Sequence, residues 1–150
     1  MNEPRLRRAT EDDVDGIERL VVAAFGKYVE AIGRPPAPMT ANYAELLHTS
    51  RIWVIEQGRE VVGVLVTQAR TDHLLLDSIA VSPTAQGGGH GRTLLARADE
   101  DARELGLAEI RLCTNAAMTE NLDFYPRRGF HETGRGVQDG FHRVFFAKAL

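Results

Sequence analysis

Apolar residues recur at helical spacing in two long segments of the chain. The first covers residues 12–25, and the second, which is the stronger, covers residues 92–105. Thr10, followed three positions later by an acidic residue, is typical of a cap before the first helix. Shorter helices are predicted over residues 41–48 and 118–127. The second long helix places its apolar side chains on one face: Leu94, Leu95, Ala98, Ala102 and Leu105.

Runs rich in β-branched and aromatic residues predict the remaining elements as strands. Three prolines within residues 35–38 forbid a helix there and favour a stiff, extended connection. The order β-α-α-β-β-β-α-β-α-β-β predicts a layered α+β domain with one mixed sheet, and we expect residues 1–150 to form a single domain. The predicted strands cover residues 5–9, 51–56, 60–69, 73–81, 108–114, 130–135 and 141–148.

Composition predicts a soluble, cytoplasmic protein. Hydrophobic residues make up 43% of the 150 residues and charged residues 26%, as is usual for globular domains. The longest apolar run, residues 20–25, is far too short to span a bilayer, and residues 1–11 contain no secretion signal. The single cysteine, Cys113, fits a reducing compartment. A net charge of −3 argues against unselective binding to nucleic acid or to anionic membranes.

A glycine-rich loop at residues 86–91 joins a predicted strand to the strongest helix. Such a loop exposes backbone N–H groups at a helix N-terminus, which suits a pyrophosphate. A nucleotide P-loop requires Lys and then Ser or Thr after its last glycine, whereas Arg92 and Thr93 follow Gly91 here. A dinucleotide fingerprint requires a small residue where Leu94 stands. Both motifs fail, and the loop by itself is equally compatible with a simple strand–helix turn.

A family resemblance favours the pyrophosphate. The motif Gln86-x-x-Gly89-x-Gly91, placed after Ala80-Val81-Ser82-Pro83, resembles the acyl-CoA-binding motif of GNAT-type N-acetyltransferases. The segment Asn121-x-x-x-Tyr125-x-x-x-Gly129-Phe130 is similar to a second motif of that family. Nearly the whole chain follows the family's element order, which implies a mostly antiparallel central sheet of about seven strands flanked by about four helices. Positions 87 and 88, which are often basic in the family, are both glycine here.

The resemblance implies acetyl-CoA as cosubstrate and direct attack by a primary amine in a ternary complex. No metal is expected, because the five histidines show no metal-ligand spacing and no Cys or acidic cluster joins them. The resemblance also implies that a backbone N–H near Val81 polarises the thioester carbonyl, that Asn121 contacts the cosubstrate, and that Tyr125 protonates the departing thiolate. The strand implied to hydrogen-bond the pantetheine arm comprises Ile79, Ala80 and Val81. The loop implied to hold the pyrophosphate comprises Gln86, Gly87, Gly88, Gly89, His90, Gly91 and Arg92.

Asp77 is the candidate base that would deprotonate the amine. Counting by two along the strand places Leu75, Asp77, Ile79 and Val81 on one face and Leu74, Leu76, Ser78 and Ala80 on the other. An unpaired carboxylate in so apolar a strand is costly to bury, so we expect Asp77 to face a wet cleft. An ion pair with an arginine on a neighbouring strand is an equal alternative. For Tyr125 the alternative is aromatic packing beside Phe124.

The acceptor is expected beneath residues 26–43 and the last hairpin. It would be a small amine or the amino group of a peptide, with no nucleic acid or membrane as partner, and a homodimer is left open. A non-catalytic acyl-CoA-binding or sensing module on the same fold is the second hypothesis, and an interaction domain without CoA is the third. The side chains expected around the acceptor are Lys27, Tyr28, Arg34, Met39 and Tyr43.

Overall fold

The computed structural model describes residues 3–150. Its strands form one sheet in which neighbours are antiparallel, except for the fourth and fifth strands, which are parallel. The strands are β1 (Arg5–Arg8), β2 (Arg51–Gln57), β3 (Glu60–Ala69), β4 (Leu74–Val81), β5 (Glu109–Asn115), β6 (His131–Gln138) and β7 (Phe141–Ala149). Their order across the sheet is β1-β2-β3-β4-β5-β7-β6, and this mostly antiparallel seven-stranded sheet confirms the predicted fold class.

Two long helices and four short ones flank the sheet, and none in the described part of the chain is both long and apolar enough to cross a membrane. The predicted extended connection at residues 35–38 is wrong in its last part, where a one-turn helix begins. Pro38 lies in the first turn of that helix, where a backbone N–H has no acceptor in any case. The helices are α1 (Val14–Phe25), α2 (Val29–Ile32), α3 (Ala37–Thr40), α4 (Tyr43–Thr49), α5 (His90–Glu104) and α6 (Thr119–Phe124).

The sheet separates two apolar cores, one beneath α5 and one beneath α1. Alternation along β2 and β3 explains the division, since Ile55 and Leu65 belong to the α5 core whereas Val54 and Val64 belong to the α1 core. The α5 core contains Leu94, Leu95, Ala98 and Ala102, which are four of the five residues predicted to share a face. The α1 core contains Ile17, Leu20, Val21 and Ala24.

A buried carboxylate fastens α5 to the sheet. Asp101 is 1% exposed and accepts hydrogen bonds from the Trp53 indole at 2.8 Å and from the Arg97 guanidinium at 2.7 and 3.0 Å. Arg51 of β2 forms a further ion pair with Asp101 at 3.2 Å. A buried charge is tolerated when it is paired and hydrogen-bonded in this way, so the cluster fixes the position of α5 against β2.

Strand β4 carries a β-bulge at Asp77. Val66 of β3 pairs with Ser78, and the next residue, Thr67, pairs with Leu76, so Asp77 has no counterpart on β3. One extra residue in a strand bends it locally and changes which face the following side chains occupy.

The bulge makes the predicted alternation of β4 wrong. Leu74 and Leu76, which lie before the bulge, pack into the same core as Ile79 and Val81, which lie after it. Strict counting by two had placed these two pairs on opposite faces. The extra residue at the bulge is Asp77, the candidate base.

Candidate active site

Strands β4 and β5 diverge and leave an open edge in the middle of the sheet. They pair at only two positions, Leu74 with Ile110 and Leu75 with Arg111. On its other side β5 stays paired with β7 as far as Asn115. Beyond Leu75, the edge of β4 that faces β5 therefore has backbone groups without a partner strand, which is a surface to which an extended ligand can add.

The direction of the hydrogen bonds identifies the free groups on this edge. The Ser82 N–H donates to the Val62 carbonyl at 2.8 Å, and in an antiparallel pair only alternate residues bond to the neighbour. Ala80 therefore turns its backbone groups to β3, whereas Ile79 and Val81 present theirs to the gap. Of the three residues predicted to bind the pantetheine arm, Ile79 and Val81 offer a backbone donor and acceptor there.

The glycine loop lies between the end of β4 and the start of α5. Gly87 and Gly89 have φ values of 90° and 80°, which favour glycine, and no atom lies within 4 Å of a Cβ built at either position. Helix α5 begins at His90, two residues before the predicted start. As a result, the N–H groups of His90, Gly91 and Arg92 lie in its first turn, where no carbonyl of the helix can accept from them.

The side chains of the loop differ in their accessibility. Gln86 and Arg92 are exposed, and within residues 3–150 neither has a hydrogen-bond or ion-pair partner. The His90 side chain is 8% exposed and turns back toward Gly88. Only its backbone N–H remains available to a ligand in front of α5. A Cβ at Gly91 would lie 3.2 Å from Cζ of Phe124, so this glycine lets α5 approach the residues that lead to Tyr125.

A cavity of about 530 Å³ lies beside the gap, between the α1–α4 region and strands β4, β5 and β7. Asp77, Ile79, Asn121 and Tyr125 all line it, so the structure brings both candidate catalytic residues into one space. Tyr43 of α4 also lines the cavity. A cavity of this size fits a small acceptor next to the end of an acyl chain.

Asp77 is reachable by solvent but is partly surrounded by the protein atoms of the cavity. This partial burial raises the pKa of Asp77, while the positive charges of Arg70 and Arg143 act in the opposite direction. No arginine or lysine of the described residues lies within ion-pair distance of its carboxylate, so the alternative of a salt bridge on a neighbouring strand is wrong. A raised pKa is what a carboxylate requires to act as a base nearer neutral pH.

Tyr125 is buried in an aromatic cluster and yet borders the cavity. Its ring makes edge contacts with Phe124 and Phe130 at centroid distances of 5.3 and 5.6 Å, and a tilted contact with Phe146 at 5.8 Å. The ring of Tyr125 therefore packs beside Phe124, as the alternative role for this residue predicts. The hydroxyl has no hydrogen-bond partner among residues 3–150, and burial raises the pKa of Tyr125, which keeps the phenol protonated.

Asn121 uses its amide to join α6 to β5. Its Nδ2 donates to Oγ1 of Thr114 at 3.0 Å and approaches Sδ of Met118 at 3.6 Å. The carbonyl oxygen of the side chain has no such contact and remains available beside the cavity. Among the described residues, no group of three or more His, Cys, Asp or Glu side chains could hold a metal ion.

Of the five side chains expected around the acceptor, the structure places one, Tyr43, on the wall of the cavity. Lys27 pairs with Glu120 at 2.8 Å instead, and Arg34 stacks on Phe141 at 3.7 Å and donates to a carbonyl of the β6–β7 turn. The last hairpin was also expected beside the acceptor, and its strand β7 does form one wall of the cavity, through alternate residues that the sequence did not single out. They are Phe141, Arg143 and Phe145.

Comparison with known proteins agrees with this architecture. Residues 16–130 match the model of the acetyltransferase (GNAT) family. The protein named uncharacterized N-acetyltransferase YjgM, from Escherichia coli K12, is 28% identical over 136 residues, which are 85% of this chain and 81% of that protein.

Two solved structures have the same fold at low sequence identity. The ribosomal-protein-S18-alanine N-acetyltransferase from Escherichia coli has a TM-score of 0.78 and 20% identity, covering 98% of this chain and 94% of the other. PaiA N-acetyltransferase from Thermoplasma acidophilum, a complex with coenzyme A, has a TM-score of 0.81 and 13% identity, covering 99% of both chains. Because the family model spans most of the chain and the fold agrees, this protein belongs to the GNAT family of acetyltransferases.

Proposed function

We propose that this acetyltransferase moves the acetyl group of acetyl-CoA to a primary amine by direct attack, with both substrates bound together. The observation that carries the proposal is the open edge of β4. Its free backbone groups at Ile79 and Val81 lead from the glycine loop to the cavity that contains Asp77 and Tyr125.

Three features of the chain fit acetyl-CoA. The first turn of α5 offers free N–H groups and the positive end of the helix dipole to the pyrophosphate. Arg92 is exposed and has no partner among the described residues. It can supply the positive charge that the family often has at positions 87 or 88, which are both glycine here. The backbone of Ile79 and Val81 can pair with the amide groups of the pantetheine arm, as an added strand would. Acetyl-CoA supplies an activated acetyl group on a thioester.

The residues of the cavity divide the proton transfers between them. Asp77 accepts a proton from the ammonium group of the acceptor, directly or through a water, because an amine with a pKa of about 10.4 is protonated at neutral pH. The amine nitrogen then bonds to the acetyl carbon, and the C–S bond breaks. The Val81 N–H stabilises negative charge on the carbonyl oxygen, and Tyr125 donates its proton to the departing sulfur. The nitrogen loses its second proton, which passes through water to the Tyr125 phenolate, and Asp77 releases its proton to solvent. The products are the acetylated amine and free CoA.

Two measurements test the proposal in sequence. Calorimetry with acetyl-CoA should show saturable binding, and ligand at 100 times its Kd should stabilise the fold by roughly 2.7 kcal/mol. A panel of primary amines assayed for CoA release should then give turnover with at least one acceptor. Binding without turnover for any amine would favour the acyl-CoA-binding module, and no binding at millimolar acetyl-CoA would overturn both.

A further inference from the structure

Arg143 is a cation on the wall of the cavity that lacks a counter-ion. It lies on β7 opposite Asn115, and within residues 3–150 no carboxylate lies within ion-pair distance of its guanidinium. Its Nε is buried and has no hydrogen-bond partner. The remaining contacts are weak, because Nη1 donates to Sγ of Cys113 at 3.3 Å and the guanidinium lies 5.2 Å from the ring of Phe141.

The other basic groups of the cavity are already paired. Arg111 bonds to Glu109 at 2.7 Å and to Asp72 at 3.5 Å. His73 contacts the same Asp72 at 2.7 Å. A buried donor left without an acceptor costs free energy, and a guanidinium has a planar fork of donors that matches a carboxylate. The guanidinium N–H groups of Arg143 that lack an acceptor therefore indicate that the ligand carries an anionic group.

The position of Arg143 relative to Asp77 suggests which ligand carries that anion. Both side chains line the same cavity, and no ion pair joins them among the described residues. Burial raises the pKa of Asp77, and the positive charges of Arg70 and Arg143 act against that rise. A space bounded by a carboxylate on β4 and a guanidinium on β7 complements a molecule that has an ammonium group and a carboxylate. A simple amine would leave the guanidinium unpaired.

We infer that Arg143 binds the carboxylate of the acceptor, and that the acceptor is a small amino acid and not a simple amine. The inference rests on the proposed function, because it specifies the acceptor of that reaction. Asp77 and Arg143 then hold the two charged ends of the amino acid, and the amine is placed next to the base. This arrangement selects the substrate by charge at both ends.

The test compares amino acids with the amines that lack only the carboxylate. Rates of CoA release are measured for alanine against ethylamine, phenylalanine against phenethylamine, and γ-aminobutyrate against propylamine, within a wider panel of amino acids. For the best pair, kcat/KM should be about 10- to 100-fold higher for the amino acid, the range given by a charge-assisted hydrogen bond. Arg143→Gln should abolish that preference, so that kcat/KM for the amino acid falls to about that of the matching amine.

Two variants control for charge and for folding. Arg143→Lys keeps the positive charge but lacks the planar set of guanidinium N–H donors. It should therefore retain part of the preference for amino acids over amines. Arg135→Gln makes the same substitution on the neighbouring strand β6, where the arginine pairs with Glu132 outside the cavity, and should keep the full preference. Thermal unfolding of each variant shows whether the fold is intact. An amino-acid preference that persists in Arg143→Gln, or that is absent from the parent protein, overturns the inference.

A binding experiment separates this inference from the proposed function. The same panel is titrated calorimetrically into the protein saturated with CoA, for the parent chain and for Arg143→Gln. Binding of amino acids that requires Arg143, without turnover, would support the inference and contradict the proposed function. Equal turnover of amines and amino acids would support the proposed function and contradict the inference. Neither binding nor turnover would contradict both.

Discussion

Replacing Tyr125 with phenylalanine separates the chemical role of its hydroxyl from the packing role of its ring. The side chain is 4% exposed and contacts three aromatic rings, all of which a phenylalanine can keep. The hydroxyl has no hydrogen-bond partner among the described residues, so its removal breaks no bond of that kind. The variant should therefore lose catalysis and keep its stability.

The expected magnitudes follow from this geometry. The hydroxyl borders the cavity and has no hydrogen-bond partner among the described residues, so its removal should leave the free energy of unfolding nearly unchanged. Since 1 kcal/mol shifts the Tm of a chain this long by about 2–4 °C, the Tm should change by less than about 2 °C. Loss of a positioned acid should lower kcat by about 10²- to 10⁴-fold. The affinity for acetyl-CoA should barely change, because the hydroxyl acts mainly in the transition state.

Tyr43→Phe is the matched control. Tyr43 is 2% exposed, and its hydroxyl donates to the Pro38 carbonyl at 2.5 Å. Its removal should cost about 0.5–1.5 kcal/mol, because a buried hydrogen bond is lost. Thermal unfolding and steady-state kinetics on both variants distinguish the two roles. A kcat of Tyr125→Phe within about threefold of the parent, together with a loss of Tm like that of Tyr43→Phe, would refute the acid role.

Three further predictions concern the base, the loop and the fold. Asp77→Asn should slow acetyl transfer and remove the acidic limb of the pH–rate profile. In the parent protein, the midpoint of that limb should lie above the usual carboxyl pKa of about 3.9, because partial burial raises the pKa of Asp77. An unchanged profile in the variant would assign the base elsewhere. Gly89→Val and Gly106→Val both force a positive φ on valine and should each cost about 1–3 kcal/mol in thermal unfolding, but only the former should weaken acetyl-CoA binding in calorimetry. Asp101→Asn should lower the free energy of unfolding, measured in urea, by about 3 kcal/mol. Asp123→Asn, which removes an exposed ion pair with Arg127, should change it by less than about 0.5 kcal/mol. Equal losses would show that the Asp101 cluster does not fix α5.

The sequence predicts those parts of the fold that depend on local patterns. The apolar spacing that defines α1 and α5 lies within each helix, and the glycines of the loop between β4 and α5 are visible as a cluster. The family motifs add the mostly antiparallel sheet, which the structure confirms. The helices and the loop could be predicted because each is determined by residues that are neighbours along the chain, whereas the sheet was expected only from the family resemblance.

The parts that escaped prediction depend on contacts between distant segments. The bulge at Asp77 exists because β3 and β4 pair in two different registers, a fact that no count along β4 alone can show. Alternation along β7 places Phe141, Arg143 and Phe145 on one face, but only the packing of the α1–α4 region decides that this face borders a cavity. Strand pairing and layer packing therefore determine the site, and the local pattern determines its supporting elements.

Three polar groups at the cavity support its assignment as the site where the substrates meet. Away from it, the Asp101 carboxylate is paired with Arg97 and Trp53, whereas Oγ1 of Thr67 and Nε of Arg128 are buried without a hydrogen-bond partner among the described residues. At the cavity, the Tyr125 hydroxyl and the Arg143 Nε lack hydrogen-bond partners among the described residues, and the Asp77 carboxylate lacks an ion pair. Each of these groups would gain a partner from one part of the reaction: Tyr125 from the leaving sulfur, Arg143 from the acceptor carboxylate and Asp77 from the ammonium proton.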